Sequence, residues 1–226
     1  MPAGSPTLLD RLIQLVLVGT PTPAAAIRRQ ASLALGAFAA TPDGCAAVLR
    51  TTLLARAQKV IQDGMAAREC RSLEDVMACL ANLASQPEAQ RALVRAGTGP
   101  PLVALLELLL GLMQQEQAPT LAAEAALVLR NVALHPESKA HFLAQQGALQ
   151  QLVGAVAAAG QQPLRAAHAA GALLALLVQG ERVKAALRRS CPNLEDALEA
   201  ALAMADQSAE GPQLCTTCTA LKQLLA

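Results

Sequence analysis

A Pro-acid break recurs along this chain at nearly even spacing, each time between two runs of helix-forming apolar residues. The sharpest pair is Cys79-Leu-Ala-Asn82-Leu-Ala-Ser-Gln-Pro87-Glu88 and Val128-Leu-Arg-Asn131-Val-Ala-Leu-His-Pro136-Glu137. In both, Asn precedes Pro by five residues, and the second copy lies 49 residues after the first. A fainter copy is Ala37-Phe38-Ala-Ala-Thr41-Pro42-Asp43, and a later one, Ala172 to Glu181, has Gly180 in the place of the breaker. Proline inside a helix removes a backbone donor and clashes with the preceding turn, so each copy ends one helix and opens another. A chain punctuated in this way is a series of similar helical layers, none of which can bury its apolar face alone.

Composition agrees that the layers are helical. Ala and Leu exceed a third of all 226 residues, Tyr and Trp are absent, and there are two Phe. Ala and Leu lose little side-chain freedom in a helix, whereas a sheet needs β-branched and aromatic residues. A period in the mid-forties, with three helices per unit, resembles that of the armadillo/HEAT-type α-solenoids. The expectation is an all-α fold of about four repeats in a single domain, 1–226. Its units span approximately 24–64, 72–115, 118–160 and 163–205, with end caps at 7–19 and 214–225. Breaks are expected at Thr20–Pro23, at Pro42-Asp43-Gly44, at Gly97–Pro101 and at Ser190–Asn193. A polar junction is expected at 64–71 and a flexible link at Ser208–Pro212. Ser72, followed by Glu74 and Asp75, reads as a helix N-cap. Phe38 and Phe142 read as the aromatic part of the core.

Charge and cysteine usage exclude several classes. With 18 basic and 17 acidic residues the net charge is +1, so no overall field draws the chain to nucleic acid or an anionic membrane. Arg28-Arg29 and Arg188-Arg189 read as solvated helix faces. The most apolar run, Pro101 to Met113, is short of the ~20 residues of a bilayer crossing and contains Glu107. Leu8 to Val18 carries Asp10 and Arg11 and has no leader pattern, so neither membrane insertion nor secretion is expected. The six cysteines form no compact framework, and Cys79 stands where Val128 stands one unit later, which reads as a small core residue. Reduced thiols and a cytoplasmic location fit this usage.

The long helix before each break is the third of its layer and lines the inner surface of such arrays. With Asn82 and Asn131 as register marks, Asp75 and Glu124 lie seven residues earlier, and the corresponding outer pairs are Gln30 before Ala37 and His168 before Ala175. A separation of seven keeps two side chains on one helical stripe. The expected partner-binding groove is therefore Gln30, Asp75, Asn82, Glu124, Asn131 and His168, beside a buried stripe of Leu121, Ala125, Val128 and Val132. The alternative is that both Asn side chains bond the backbone of a neighbouring layer.

Catalytic and metal chemistry is not expected. His135 and His141 flank the Pro136 break in a surface turn, and no Cys or carboxylate stands at ligand spacing from them. No phosphate loop or nucleophile elbow occurs. Cys215-Thr-Thr-Cys218 lacks the second Cys pair of a zinc site and reads as helix packing, with a redox pair as the alternative. No enzyme activity, cofactor or metal is expected.

The stretch 122–205 resembles the carboxy-terminal armadillo-like region of the rotatin family of centriole and basal-body proteins. The residues that carry this are Val128-Leu-Arg-Asn131-Val-Ala-Leu-His135, Gly171 to Leu177, Val183 to Leu187 and Pro192 to Ala197. The resemblance implies a scaffold in centriole, basal-body and cilium assembly, with protein partners and no catalytic residues. It covers about a third of the chain, and aromatic positions of that family are Leu here. A weaker resemblance to importin-α rests on Asn82 and Asn131; the partner tryptophans of that groove are missing. A cytosolic armadillo-type adaptor or chaperone cofactor is the alternative.

Overall fold

The computed structural model describes residues 7–17, 24–67, 70–95 and 100–225. The expected breaks at Thr20–Pro23 and Gly97–Gly99 lie outside the described residues, as does the middle of the junction expected at 64–71. Among the described residues there are fourteen α-helices and no strand. Their contacts divide the chain into two compact units, Met1–Ala92 and Leu93–Ala226.

The first unit holds α1 (Leu8–Leu17), α2 (Ala24–Ala39), α3 (Pro42–Leu49), α4 (Leu53–Ala67), α5 (Cys70–Ala84) and the start of α6 (Pro87–Arg95). Helix α3 begins where local chemistry requires: Thr41 accepts a hydrogen bond from the Gly44 amide at 3.1 Å, Pro42 opens the first turn and Asp43 sits at the positive end of the dipole. It starts at Pro42, so the break expected at Pro42-Asp43-Gly44 is itself the first turn of a helix. Helix α2 packs on α1, α3 and α5, and α4 packs on α5. Ile13, Leu35, Ile61, Leu73 and Met77 are buried here, each such side chain stabilising the fold by ~1.5–3 kcal/mol. Two expectations fail. Phe38 is 44% exposed, because it lies on a face of α2 that no described helix covers, so it is not a core residue. Helix α5 is already running at Cys70, so Ser72 is inside it and does not cap it.

The second unit continues with α7 (Pro100–Met113), α8 (Pro119–Ala133), α9 (Ser138–Ala144), α10 (Ala148–Ala157), α11 (Pro163–Leu177), α12 (Glu181–Ser190), α13 (Leu194–Ala205) and α14 (Gly211–Leu225). Pro119 and Pro163 open α8 and α11 at the positions where a missing amide costs nothing. Helix α11 lies between α8 and α14 and rests on α10. Both α8 and α11 bury alanine on nearly every turn, which lets the two backbones approach closely. The expected stripe of Leu121, Ala125, Val128 and Val132 is buried, and Phe142 is the one large aromatic of this core.

Two glycines explain breaks that proline does not make. At Gly147, which precedes α10, φ is 75°, a left-handed conformation that costs other residues dearly. At Gly180 a Cβ would stand 2.1 Å from the Leu176 carbonyl oxygen, so only glycine lets the chain leave α11 there. The expected link at Ser208–Pro212 is a hydrogen-bonded turn that runs into the last helix. Ser208 and Gly211 donate backbone hydrogen bonds to Ala205 and Ser208, and α14 begins at Gly211 instead of Leu214.

Candidate functional site

The register expected from sequence coincides with the helix register in three of its four layers; in α2, Gln30 and Ala37 are the seventh and fourteenth residues. Helices α5, α8, α11 and α14 are each 15 residues long. Asp75, Glu124 and His168 are the sixth residues of the first three, and Asn82, Asn131 and Ala175 are the thirteenth.

In the first unit this register is taken up by packing. Arg28 Nε on α2 donates to the Asp75 carboxylate at 3.1 Å, and side-chain exposures of 12% and 17% shield the pair from water. One turn further along α2, Ser32 Oγ donates to the Asp75 carbonyl at 2.6 Å. Gly36 then faces Asn82: a Cβ at Gly36 would lie 2.7 Å from Asn82 Nδ2. Asn82 is thus an exposed side chain whose amide fills the space left by a glycine on the neighbouring helix. Gln30 is exposed, and no hydrogen bond joins it to Asp75. Arg28, read from sequence as part of a solvated face, is instead a packed ion-pair partner. The signal available was its place one turn before Ser32, on the same face of the helix.

In the second unit the register opens onto a cavity of about 290 Å³ at the first turns of α8 and α11 and the turn before α14. Glu124 and His168 both line it, so the sequence-derived pair is brought together there. Asn131 and Ala175, two turns on, are half-buried and lie outside the cavity lining. Five further polar residues join the wall: Thr120, Gln161, Gln162, Arg165 and Glu210. Arg165 is only 4% exposed, and its Nη1 donates to the Met113 carbonyl at 3.1 Å. Burial lowers its pKa and the charge of Glu116 acts in the opposite direction, so it stays cationic at neutral pH. The Arg165 Nε has no hydrogen-bond partner. Gln162 donates to the Glu116 carbonyl at 3.5 Å through Nε2, while its Oε1 is buried without a partner.

His168 is 9% exposed and its Nδ1 is buried without a partner. Burial, reinforced by the nearby charge of Arg130 and opposed by that of Glu210, pushes its pKa down to about 4. The imidazole is therefore neutral at physiological pH. Arg130 itself is held against α11 by a missing side chain: a Cβ at Gly171 would sit 2.9 Å from Arg130 Cδ.

Arg165 was within reach of sequence reasoning, three residues before His168 and so on the same face of the helix. Glu210 was not, because it arrives from the turn that ends a different layer.

The other singled-out residues lie elsewhere. His135 accepts a hydrogen bond from the Glu137 amide at its Nδ1, 3.3 Å, and serves the break at Pro136. His141 lines a small, apolar gap beside Phe142. Cys79 is buried, and burial pushes its thiol up to about 12. Cys218 is buried and pushed up to about 11, while Cys215 is exposed. A thiol raised in this way is a poor nucleophile and a poor metal ligand. Among the described residues no three His, Cys, Asp or Glu side chains cluster as metal ligands, and no single helix is long and apolar enough to cross a membrane.

No family profile matches the sequence, and no curated protein matches it. Solved structures do. An engineered protein from a structural genomics consortium superimposes with a TM-score of 0.70 at 19% identity, over 97% of this chain and 86% of its own. A designed armadillo repeat protein, solved in complex with the peptide (KR)4, gives 0.60 at 18% identity, over 96% and 90%. A second engineered protein from that consortium gives 0.58 at 18%, over 95% and 96%. At these identities the likeness concerns the fold, which is an all-α solenoid of the armadillo/HEAT type.

Proposed function

We propose that this chain is a non-enzymatic scaffold that holds a segment of a partner protein against its third helices, with the α8–α11 cavity as the principal contact. The observation that carries this is the convergence of Glu124 and His168 with Arg165 and Glu210 on one concave, partly apolar site. Such sites, with a few convergent polar groups in an apolar wall, are where proteins take ligands. The peptide bound to the designed armadillo repeat protein supports the same reading for an array of this fold. The groove expected from Gln30, Asp75, Asn82, Glu124, Asn131 and His168 is narrowed to Glu124 and His168, because Asp75 and Asn82 already serve the packing of α2 and α5.

The finer reading places the scaffold in centriole, basal-body and cilium assembly, and its support is the residue pattern of 122–205. A cytosolic adaptor or chaperone cofactor is the alternative, supported by the peptide complex of the designed neighbour. Imaging of the tagged chain separates the two: centrin-positive puncta fit the first, and diffuse staining contradicts it. For the scaffold itself, Glu124→Lys is expected to weaken partner capture in a ciliated-cell lysate with helical content unchanged. Undiminished capture of every partner by that variant would rule the cavity out.

A further inference from the structure

The first and last layers differ in what they expose. The last helix, α14, shows Gln213, Thr216, Thr219, Lys222 and Gln223 to solvent, and Leu224 is its one exposed large apolar side chain. A polar outer face of this kind closes a repeat array and keeps it soluble. The first layer, α1 with α2, does the reverse. Of the nine large apolar side chains exposed among the described residues, five stand on these two helices: Leu8, Leu15, Ile27, Leu33 and Phe38.

On α2 the apolar face lies where a neighbouring layer would sit. Arg28, Ser32 and Gly36 meet α5. Two residues further on is about 200° round the helix. Gln30, Ala34 and Phe38 therefore occupy the opposite side, joined by Ile27 and Ala37, and all five are exposed. Spacings of three, four and seven make them one stripe. Its mixture of alanine with larger apolar residues is that of the faces by which α8 and α11 pack on each other. Leu33 stands beside the stripe, about 100° from Ala34.

The stripe fits a copy of itself. When it is paired antiparallel with a second α2 across a two-fold axis, Ile27 of each copy meets Phe38 of the other, and Ala34 near the middle lets the backbones approach. Its one polar member, Gln30, is uncharged, and its amide both donates and accepts. It can face its own copy, where a charged residue would meet a like charge. Head-to-tail stacking would instead set the apolar stripe on the polar face of α14.

We propose that the first layer is an open end on which a second copy of this chain stacks, α2 antiparallel to α2, in a closed two-fold dimer. This surface shares no residue with the α8–α11 cavity, so the dimer and the partner segment are tested apart.

One helical layer makes a small interface, so the dimer is expected at about 50 µM and the monomer at about 1 µM. Sedimentation velocity of the full chain reads this as a doubling of mass. Ile27→Lys and Phe38→Glu, at positions 55% and 44% exposed, should each hold the chain at the mass of one copy at the higher concentration. Circular dichroism of each variant should show its helix content kept. An equimolar mixture of the two variants should recover the doubled mass, because the introduced amine then faces the introduced carboxylate. Leu134→Lys, at an exposed leucine of the second unit, should leave the dimer as it is. A chain that stays monomeric at the higher concentration, or a dimer that both variants keep, overturns the proposal. So does a mixture that remains monomeric, or species larger than two copies. If a photo-reactive residue in place of Ala34 captures a different protein and no second copy, the stripe belongs to that protein and the dimer falls.

Discussion

Two pairs of neighbouring third helices, α2 with α5 and α8 with α11, put acidic or polar side chains at the same register and use them for different ends. Between α2 and α5 the sixth-position Asp75 is bound by Arg28, its carbonyl by Ser32, and the thirteenth-position Asn82 packs against Gly36. Polar groups there close the gap between helices. Between α8 and α11 the gap is closed by alanines such as Ala122, Ala126, Ala166 and Ala170, all fully buried. Their sixth positions, Glu124 and His168, reach a cavity. Where small apolar residues bring the helices together, the sixth-position side chains line a cavity; where they do not, those side chains supply the attachment.

The two phenylalanines give the sharpest way to break that comparison. Phe142 is 1% exposed and Phe38 is 44% exposed. Phe142→Ala is expected to cost about 3–5 kcal/mol and Phe38→Ala under about 1 kcal/mol, by chemical denaturation. Equal losses would contradict the assignment of the aromatic core to the second unit alone. Next in size is the exit from α11, where Gly180→Ala sets a Cβ against the Leu176 carbonyl. A loss of about 1–3 kcal/mol is expected, since the backbone must shift.

Acid should act on the second unit through His168. Its folded pKa, about 4, lies below the unfolded value of 6.5. Between these values the unfolded chain binds a proton that the folded chain does not, so stability falls as pH falls through that window. The loss attributable to His168 is about 1–3 kcal/mol, and His168→Gln should flatten that part of the pH profile. A profile unchanged by the substitution would place His168 in water. The smallest effect is expected at Asp75. Asp75→Asn leaves Arg28 without its counter-charge and should cost about 0.5–1 kcal/mol, with little dependence on salt because the pair is shielded from water. No change in partner capture should accompany it, in contrast to Glu124→Lys.

The layers and the register were legible because breaks are local: Pro42, Pro87, Pro119 and Pro163 stop and start helices wherever they stand. Counting from Asn82 and Asn131 then located Asp75, Glu124 and His168 without any knowledge of packing. What that count could not reveal is which polar side chain finds a partner across the helix pair. Arg28 is two residues from Gln30 and so on nearly the opposite side of α2, and it is Arg28, with Ser32 one turn on, that faces Asp75. Glu210 was hidden for a different reason. It enters the cavity from the turn between α13 and α14, whose composition, Ser, Ala, Glu, Gly and Pro, suggests only a link. Phe38 was misplaced because an aromatic residue in an alanine-rich helix looks buried unless its face is known to be uncovered by the described helices.

The most direct test of the account is site-specific photo-cross-linking from two exposed leucines, Leu164 at the cavity and Leu33 on α2, with the cross-linked partner residue identified by mass spectrometry. The account predicts an adduct from position 164 to a segment of the partner, lost with Glu124→Lys, and none from position 33. Adducts from position 33 with none from position 164 would contradict it.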